Sequence, residues 1–235
     1  MKFSASRSEL DSMVVGIELT LVSIIQGVAL TVLIESAHQI LADLETVFWP
    51  YVLGGLLIIF VFWSRAVLHT ITLIRWPLEF AHNFLYIGCA LLEAVVLSQL
   101  SNPEKWFGFG AAFIGVGWLL FAYDLRLIHA RMRDSAGEAS NRLYTRVRRD
   151  QWLNIGVLLP GVFLLNLVCA FCIHFWPELF IAHHAHLILV AIQIIGVSGY
   201  LVYVARFYVN LAPLITEARH EWRQHSGDAT LPEPP

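Results

Sequence analysis

Residues 51–72 read YVLGGLLIIFVFWSRAVLHTIT, and Arg65 is the one fully charged residue among them. As a helix, this stretch is about 33 Å long at 1.5 Å per residue, enough to cross roughly 30 Å of hydrocarbon. It is too long for a strand of a membrane barrel, which takes about 9–11 alternating residues. Working outward, residues 13–37, 78–100, 106–123, 152–175 and 184–209 are comparable apolar runs. The expected fold is therefore all-α, a polytopic bundle of six transmembrane helices.

Composition agrees with this reading. Of 235 residues, 57% are hydrophobic and 14% charged, where soluble domains have about 45–50% and about 25%. Three cysteines exclude a secreted disulfide scaffold, and a formal net charge of -3 offers no basic field for nucleic acid. The first apolar run exceeds the roughly 7–15 residues of a signal-peptide core, and no small-x-small cleavage site follows it.

Lys and Arg set the expected orientation. Lys2 and Arg7 precede the first span, Arg75 follows the second, and Arg126, Arg131, Arg133, Arg142, Arg146, Arg148 and Arg149 crowd the connection after the fourth. Residues 38–50 and 177–183 have no Lys or Arg, and residues 101–105 have only Lys105. Both termini are thus expected in the cytoplasm of a cell whose inner membrane holds the chain. Trp49-Pro50, Trp76-Pro77 and Trp176-Pro177 mark span boundaries as interfacial anchors. The chain divides into a cytoplasmic segment 1–12, helices one to four over 13–123, and a basic helical hairpin over 124–151. Helices five and six over 152–209 and a polar tail over 210–235 complete it. The Asp-Ser-Ala-Gly stretch at 134–137 is expected to break the hairpin, and a short helix followed by a disordered tail is expected after Pro213. The arginines of 126–149 fix topology, and they also suit anionic lipid headgroups.

Polar groups inside the spans each need a partner or a role. These are Glu18, Gln26, Arg65, His69, His82, Asn83, Glu93, Asn154, Asn166, Gln193, Ser198 and Arg206. Depth along the helices pairs Glu18 with Arg65 near the inner surface, with His69 and His82 in the same cluster. On the first helix, Glu18, Val22, Ile25, Ala29 and Leu33 share one face with Gln26 at its edge, and Glu35 lies farther along. Glu18, Val22, Ile25, Gln26, Ala29 and Glu35 are the expected ion pathway, the alternative being that the stripe is core packing.

Other motifs carry less chemistry. Gly196-Val197-Ser198-Gly199 repeats a rhomboid-protease string, yet no intramembrane histidine follows it to act as base. Cys169 and Cys172 have dithiol spacing, but Cys89 alone cannot supply a second pair. Gly108, Gly110, Gly115 and Gly117 read as close helix packing. On the outer side, His174, Glu178, His183, His184 and His186 offer zinc- or copper-type ligands. His69 with His82 meets the sequence condition for a b-type haem pair. No catalytic set is found, and no cofactor is assigned.

Phe62-Trp63 followed by His69, Asn83 followed by Leu91-Leu92, and Ile24-Ile25-Gln26-Gly27-Val28 resemble the endosomal/lysosomal potassium channel family and its prokaryotic relatives. The resemblance covers the first three helices. Only Gly-Val of that family's Phe-Ser-Asp-Gly-Val signature is kept, and Ala66 and Val67 replace its paired histidines. It implies a homo-oligomeric channel whose pore is lined by the first helix, without a re-entrant filter. The expected function is a pore or permease for a small ion. A membrane electron carrier or metal-binding enzyme is the second reading, and a non-catalytic scaffold or sensor the third.

Overall fold

The computed structural model describes residues 2–73, 80–134 and 137–228. Within them run helices α1 (Lys2–Ala42), α2 (Trp49–Leu73), α3 (Phe80–Leu97), α4 (Pro103–Asp134), α5 (Glu138–Leu153), α6 (Leu159–Phe175) and α7 (His186–Asp228), with no strand among the described residues. Arg75 with Trp76-Pro77, the centre of the expected hairpin break and the proline-rich end fall outside the described residues.

Six stretches are long and apolar enough to cross a membrane: Ser12–Ala42, Thr46–Leu73, Phe80–Leu97, Pro103–Arg133, Glu138–Phe175 and His186–Glu221. This is the make-up of a multi-pass membrane protein. The outer surface fits an apolar solvent, because Leu164, Val168, Phe171 and Phe175 form an exposed stripe on α6, and Ile188, Ile192 and Ile195 do the same on α7. Water does not tolerate apolar patches of that extent on a monomer.

Three boundaries differ from expectation. Helix α4 passes residue 123 without a break and carries Asp124 and Ile128 on its buried face. Helix α5 leads into α6 through a wide turn at Asn154–Leu158, so the second half of the basic connection is helically continuous with the fifth apolar run. Pro160 withholds an N–H from the carbonyl four residues earlier, and a widened turn accommodates that loss. Helix α7 also runs through Pro213 in one piece, where the last span was expected to end at residue 209 and a separate short helix to follow Pro213. Contacts with α5 support it beyond that point, and Leu211, Ile215 and Ala218 are buried in the second apolar core.

That second core lies at the arginine-rich end and joins Leu68 and Leu73 of α2, Ile128 of α4, Leu143 and Tyr144 of α5, and Leu211 of α7. The larger core fills the rest of the bundle with Val22, Leu33, Tyr51, Phe62, Leu97, Trp106, Phe113 and their neighbours. Glycines on α4 do provide close packing: a Cβ on Gly110 would lie 2.9 Å from Asn166 Oδ1, and one on Gly115 would lie 3.4 Å from the Phe163 ring. Gly108 has open space instead.

The start of α5 is capped from α7. Glu221 accepts the backbone N–H of Ala139 at 2.9 Å and of Ser140 at 3.1 Å, placing a carboxylate at a helix N-terminus. Gly137 permits the approach, because a Cβ there would overlap the Glu221 carboxylate. Glu221→Ala is expected to cost about 0.5–2 kcal/mol, and Gly137→Val should cost at least as much by displacing the same carboxylate. Thermal melts of the detergent-solubilised variants check this, and unchanged melting for both would remove the cap.

Candidate ion site at the arginine-rich end of the bundle

The apolar patterns of α2, α3, α4 and α5 leave one polar position each at the same level, and packing brings these positions together. Leu68 and Thr72 share the buried face of α2 with His69 at its edge, His82 opens α3 below Tyr86, and Asp124 stands between Leu120 and Ile128 on α4. On α5 the face made by Leu143 and Val147 reaches Asp150. The result is a cavity of about 60 Å³ lined by Glu18, Arg65, His69, His82, Asp124 and Asp150 among apolar neighbours.

Asp124 is the centre of the first cluster. Its Oδ1 lies 2.8 Å from His82 Nδ1 and its Oδ2 lies 3.2 Å from His69 Nδ1. The two imidazoles stack with centroids 4.2 Å apart and planes within 6°. All three side chains are at least 88% buried (exposures of 12%, 7% and 7%). The rings present faces to each other, so no macrocycle fits between their nitrogens as a bis-histidine haem requires. The His69–His82 haem reading is thereby corrected, and the two rings share one cluster with Asp124.

Arg65 forms the second cluster. Its guanidinium donates to Asp150 Oδ2 at 2.9 Å and lies 4.8 Å from the centre of the Phe121 ring. Tyr203 donates to Asp150 Oδ1 at 2.7 Å, and Tyr200 donates to Asn154 Oδ1 at 2.6 Å. The expected Glu18–Arg65 pair is therefore corrected: both residues line the cavity, but the carboxylate of Arg65 is Asp150. Glu18 instead accepts from Asn83 Nδ2 at 3.1 Å.

From Glu18 a polar track continues between α1 and α3. Gln26 Nε2 donates to Glu93 Oε2 at 3.2 Å, with Tyr86 close to both residues. Among the described residues, Gln26 Oε1 and Glu93 Oε1 are buried without a hydrogen-bond partner, and the Tyr86 hydroxyl is buried beside Gln26. Beyond Glu93 the track ends where Leu33 and Leu97 close on Gly55, whose Cβ would come within 2.9 Å of Leu33 and 2.8 Å of Leu97.

The expected pathway residues on α1 separate accordingly. Glu18 and Val22 reach the cavity wall, Gln26 belongs to the track, and Ala29 is packed into the apolar core. Ile25 is half-buried, and Glu35 is exposed and faces away. Within this chain the stripe is mostly packing. The outer histidines separate too: His174 Nδ1 meets Glu104 Oε1 at 3.0 Å, His183 Nδ1 contacts the Glu178 backbone carbonyl, and buried His186 contacts the Tyr51 hydroxyl at 3.0 Å. The set does not converge on one point. Among the described residues, His69, His82 and Asp124 are the cluster whose ligand atoms do, all within 4.8 Å of one another.

Sequence reasoning missed Asp124, Asp150, Tyr86 and Tyr203. The available signal was periodicity: Leu120, Asp124 and Ile128 repeat every four residues, as do Leu143 and Val147 before Asp150. No protein-family model matches the chain, and no curated protein or solved structure does.

Proposed function

We propose that this multi-pass membrane protein is a permease for a small inorganic ion, and that the cavity around Asp124 is where the ion pauses. The observation that carries this reading is a charged cavity of about 60 Å³ inside an apolar helical bundle. Its volume admits a bare ion with a water or two, whereas pockets for organic ligands run to about 300–1,000 Å³. Ionisable groups at such depth are costly, and they gather where an ion or water passes. The polar track from Glu18 to Glu93 supplies the next stage, and the Leu33–Leu97–Gly55 contact is the constriction that must open. Transport thus requires α1, α2 and α3 to move relative to one another there.

The arginine-rich end faces the cytoplasm of the cell membrane in this reading, following the bias of short connections. A reporter active only in the cytoplasm is expected to work when inserted at Ser135 and to fail at Phe180; the reverse pattern overturns the orientation.

Flux into liposomes tests the permease itself. Wild-type protein is expected to pass an inorganic ion, and Asp124→Ala should lower the rate about tenfold or more, since losing a hydrogen bond to a charged group costs about 1.5–3 kcal/mol. His174→Ala, on the exposed outer surface, should leave the rate unchanged. Absence of flux across a panel of mono- and divalent ions in folded protein overturns the proposal.

A further inference from the structure

We infer that the cavity binds a divalent transition-metal cation of the zinc class through His69, His82 and Asp124. This deepens the permease reading by naming the class of ion, and it rests on that reading only for transport, not for binding. The donors come from α2, α3 and α4, three different helices, and their ligand atoms already lie within 4.8 Å of one another. In a tetrahedral shell with bonds of about 2.0–2.1 Å, neighbouring ligand atoms stand about 3.3 Å apart. The His82–Asp124 and His69–Asp124 separations of 2.8 and 3.2 Å are near that value. Turning the two stacked rings out of parallel, and closing the widest ligand separation from as much as 4.8 Å toward that value, exchanges two hydrogen bonds for three coordination bonds.

Charge and donor type point to the same class. Glu18, Asp124 and Asp150 line the cavity against one guanidinium, Arg65, leaving a formal charge of two minus once Arg65 is assigned to Asp150. A divalent cation neutralises it. Two imidazoles with one carboxylate suit zinc and its d-block neighbours, whereas magnesium and calcium take oxygen-only shells. Three protein ligands leave a fourth position open, and the cavity has room for a water there. An ion held by three protein groups with one exchangeable position can also leave. Each imidazole binds as the neutral ring: water relays the proton that leaves Nδ1 and returns one at Nε2, so the net proton count does not change.

Cobalt binding tests the site without reference to transport. The protein is prepared without a polyhistidine tag and with H174A, H183A and H184A removing exposed surface ligands, then titrated with Co²⁺ alone in detergent. One Co²⁺ per chain is expected, with the intense visible bands of a four-coordinate ion, displaced by Zn²⁺. His82→Ala and Asp124→Ala should each weaken binding by at least about tenfold. Because either variant can fail to fold, the stoichiometry and spectrum of the otherwise native protein are decisive by themselves. Absence of the bands, or their persistence in a folded Asp124→Ala protein, overturns the inference in favour of a purely structural His–Asp–His lock. Cobalt bound to a chain that passes no ion leaves this site standing and removes the permease. Monovalent flux through a chain that binds no cobalt does the opposite.

Discussion

Asp150→Ala is expected to destabilise the protein by about 3–5 kcal/mol, the range for a buried ion pair that loses one partner. The Asp150 side chain is 2% exposed and serves two donors, Arg65 at 2.9 Å and the Tyr203 hydroxyl at 2.7 Å. Its removal leaves the guanidinium inside an apolar bundle without its ion-pair partner, against the face of the Phe121 ring. A cation–π contact of about 0.5–2 kcal/mol does not offset that loss. Replacing both residues, Arg65→Met with Asp150→Leu, removes the orphaned charge and should cost clearly less than the sum of the single changes. The same cycle run on Glu18 and Arg65 should give a smaller coupling, because Glu18 is held by Asn83. Detergent melts of the single and double variants read both couplings. Additive behaviour in the Arg65–Asp150 cycle would dissolve the pair as a stabilising unit.

The contrast between these two cycles shows what the sequence could and could not convey. Six spans were legible because length and hydropathy act locally: nothing beyond the chain's own residues is needed to see that 51–72 or 184–209 suits hydrocarbon. The depth of Arg65, His69 and His82 was legible too, since rise per residue fixes it. Partner choice was not. Depth alone assigned Glu18 to Arg65, but which face of α1 meets which face of α2 depends on packing, and α5 brings Asp150 closer.

Asp124 and Asp150 were misplaced for a related reason. Each lies beside arginines, Arg126 and Arg149 respectively, and local charge density reads as a solvated connection. The buried faces of α4 and α5 nevertheless continue through these positions, with Ile128 and Asn154 both fully buried farther along. In a membrane protein, a carboxylate on such a face is better read as a functional group than as the end of a span. The outer histidines show the converse error. Four in thirteen residues suggested a metal site, but His183 is taken by the Glu178 carbonyl, His184 meets His186 edge-on with centroids 5.9 Å apart, and His186 is held by Tyr51.

The end of the bundle opposite the cavity carries the other large expected effect. Trp106 is fully buried there, meets Tyr51 edge-on with centroids 5.4 Å apart, and fills the space above Gly54 and Gly55. Its Nε1 donates to Gln193 Oε1 at 2.8 Å, Gln193 Nε2 donates to Asn166 Oδ1 at 2.9 Å, and Asn166 Nδ2 returns to the Val162 carbonyl at 2.8 Å. This chain ties α4, α6 and α7 into one unit with those groups paired. Lipid tails are as apolar as the core, so Trp106 contributes through packing and its hydrogen bond more than through exclusion of water. Trp106→Ala loses both and should cost about 3–5 kcal/mol. Trp106→Phe keeps most of the packing and orphans Gln193 Oε1, for about 1–3 kcal/mol. Adding Gln193→Met to Trp106→Phe removes the orphaned acceptor, so the pair should cost less than the two single changes together. Melting temperatures in one detergent rank the four variants. Equal losses for Trp106→Phe and Trp106→Ala would mean that the hydrogen-bonded chain, and not the indole volume, holds this end together, and a neutral Trp106→Ala would overturn the argument altogether.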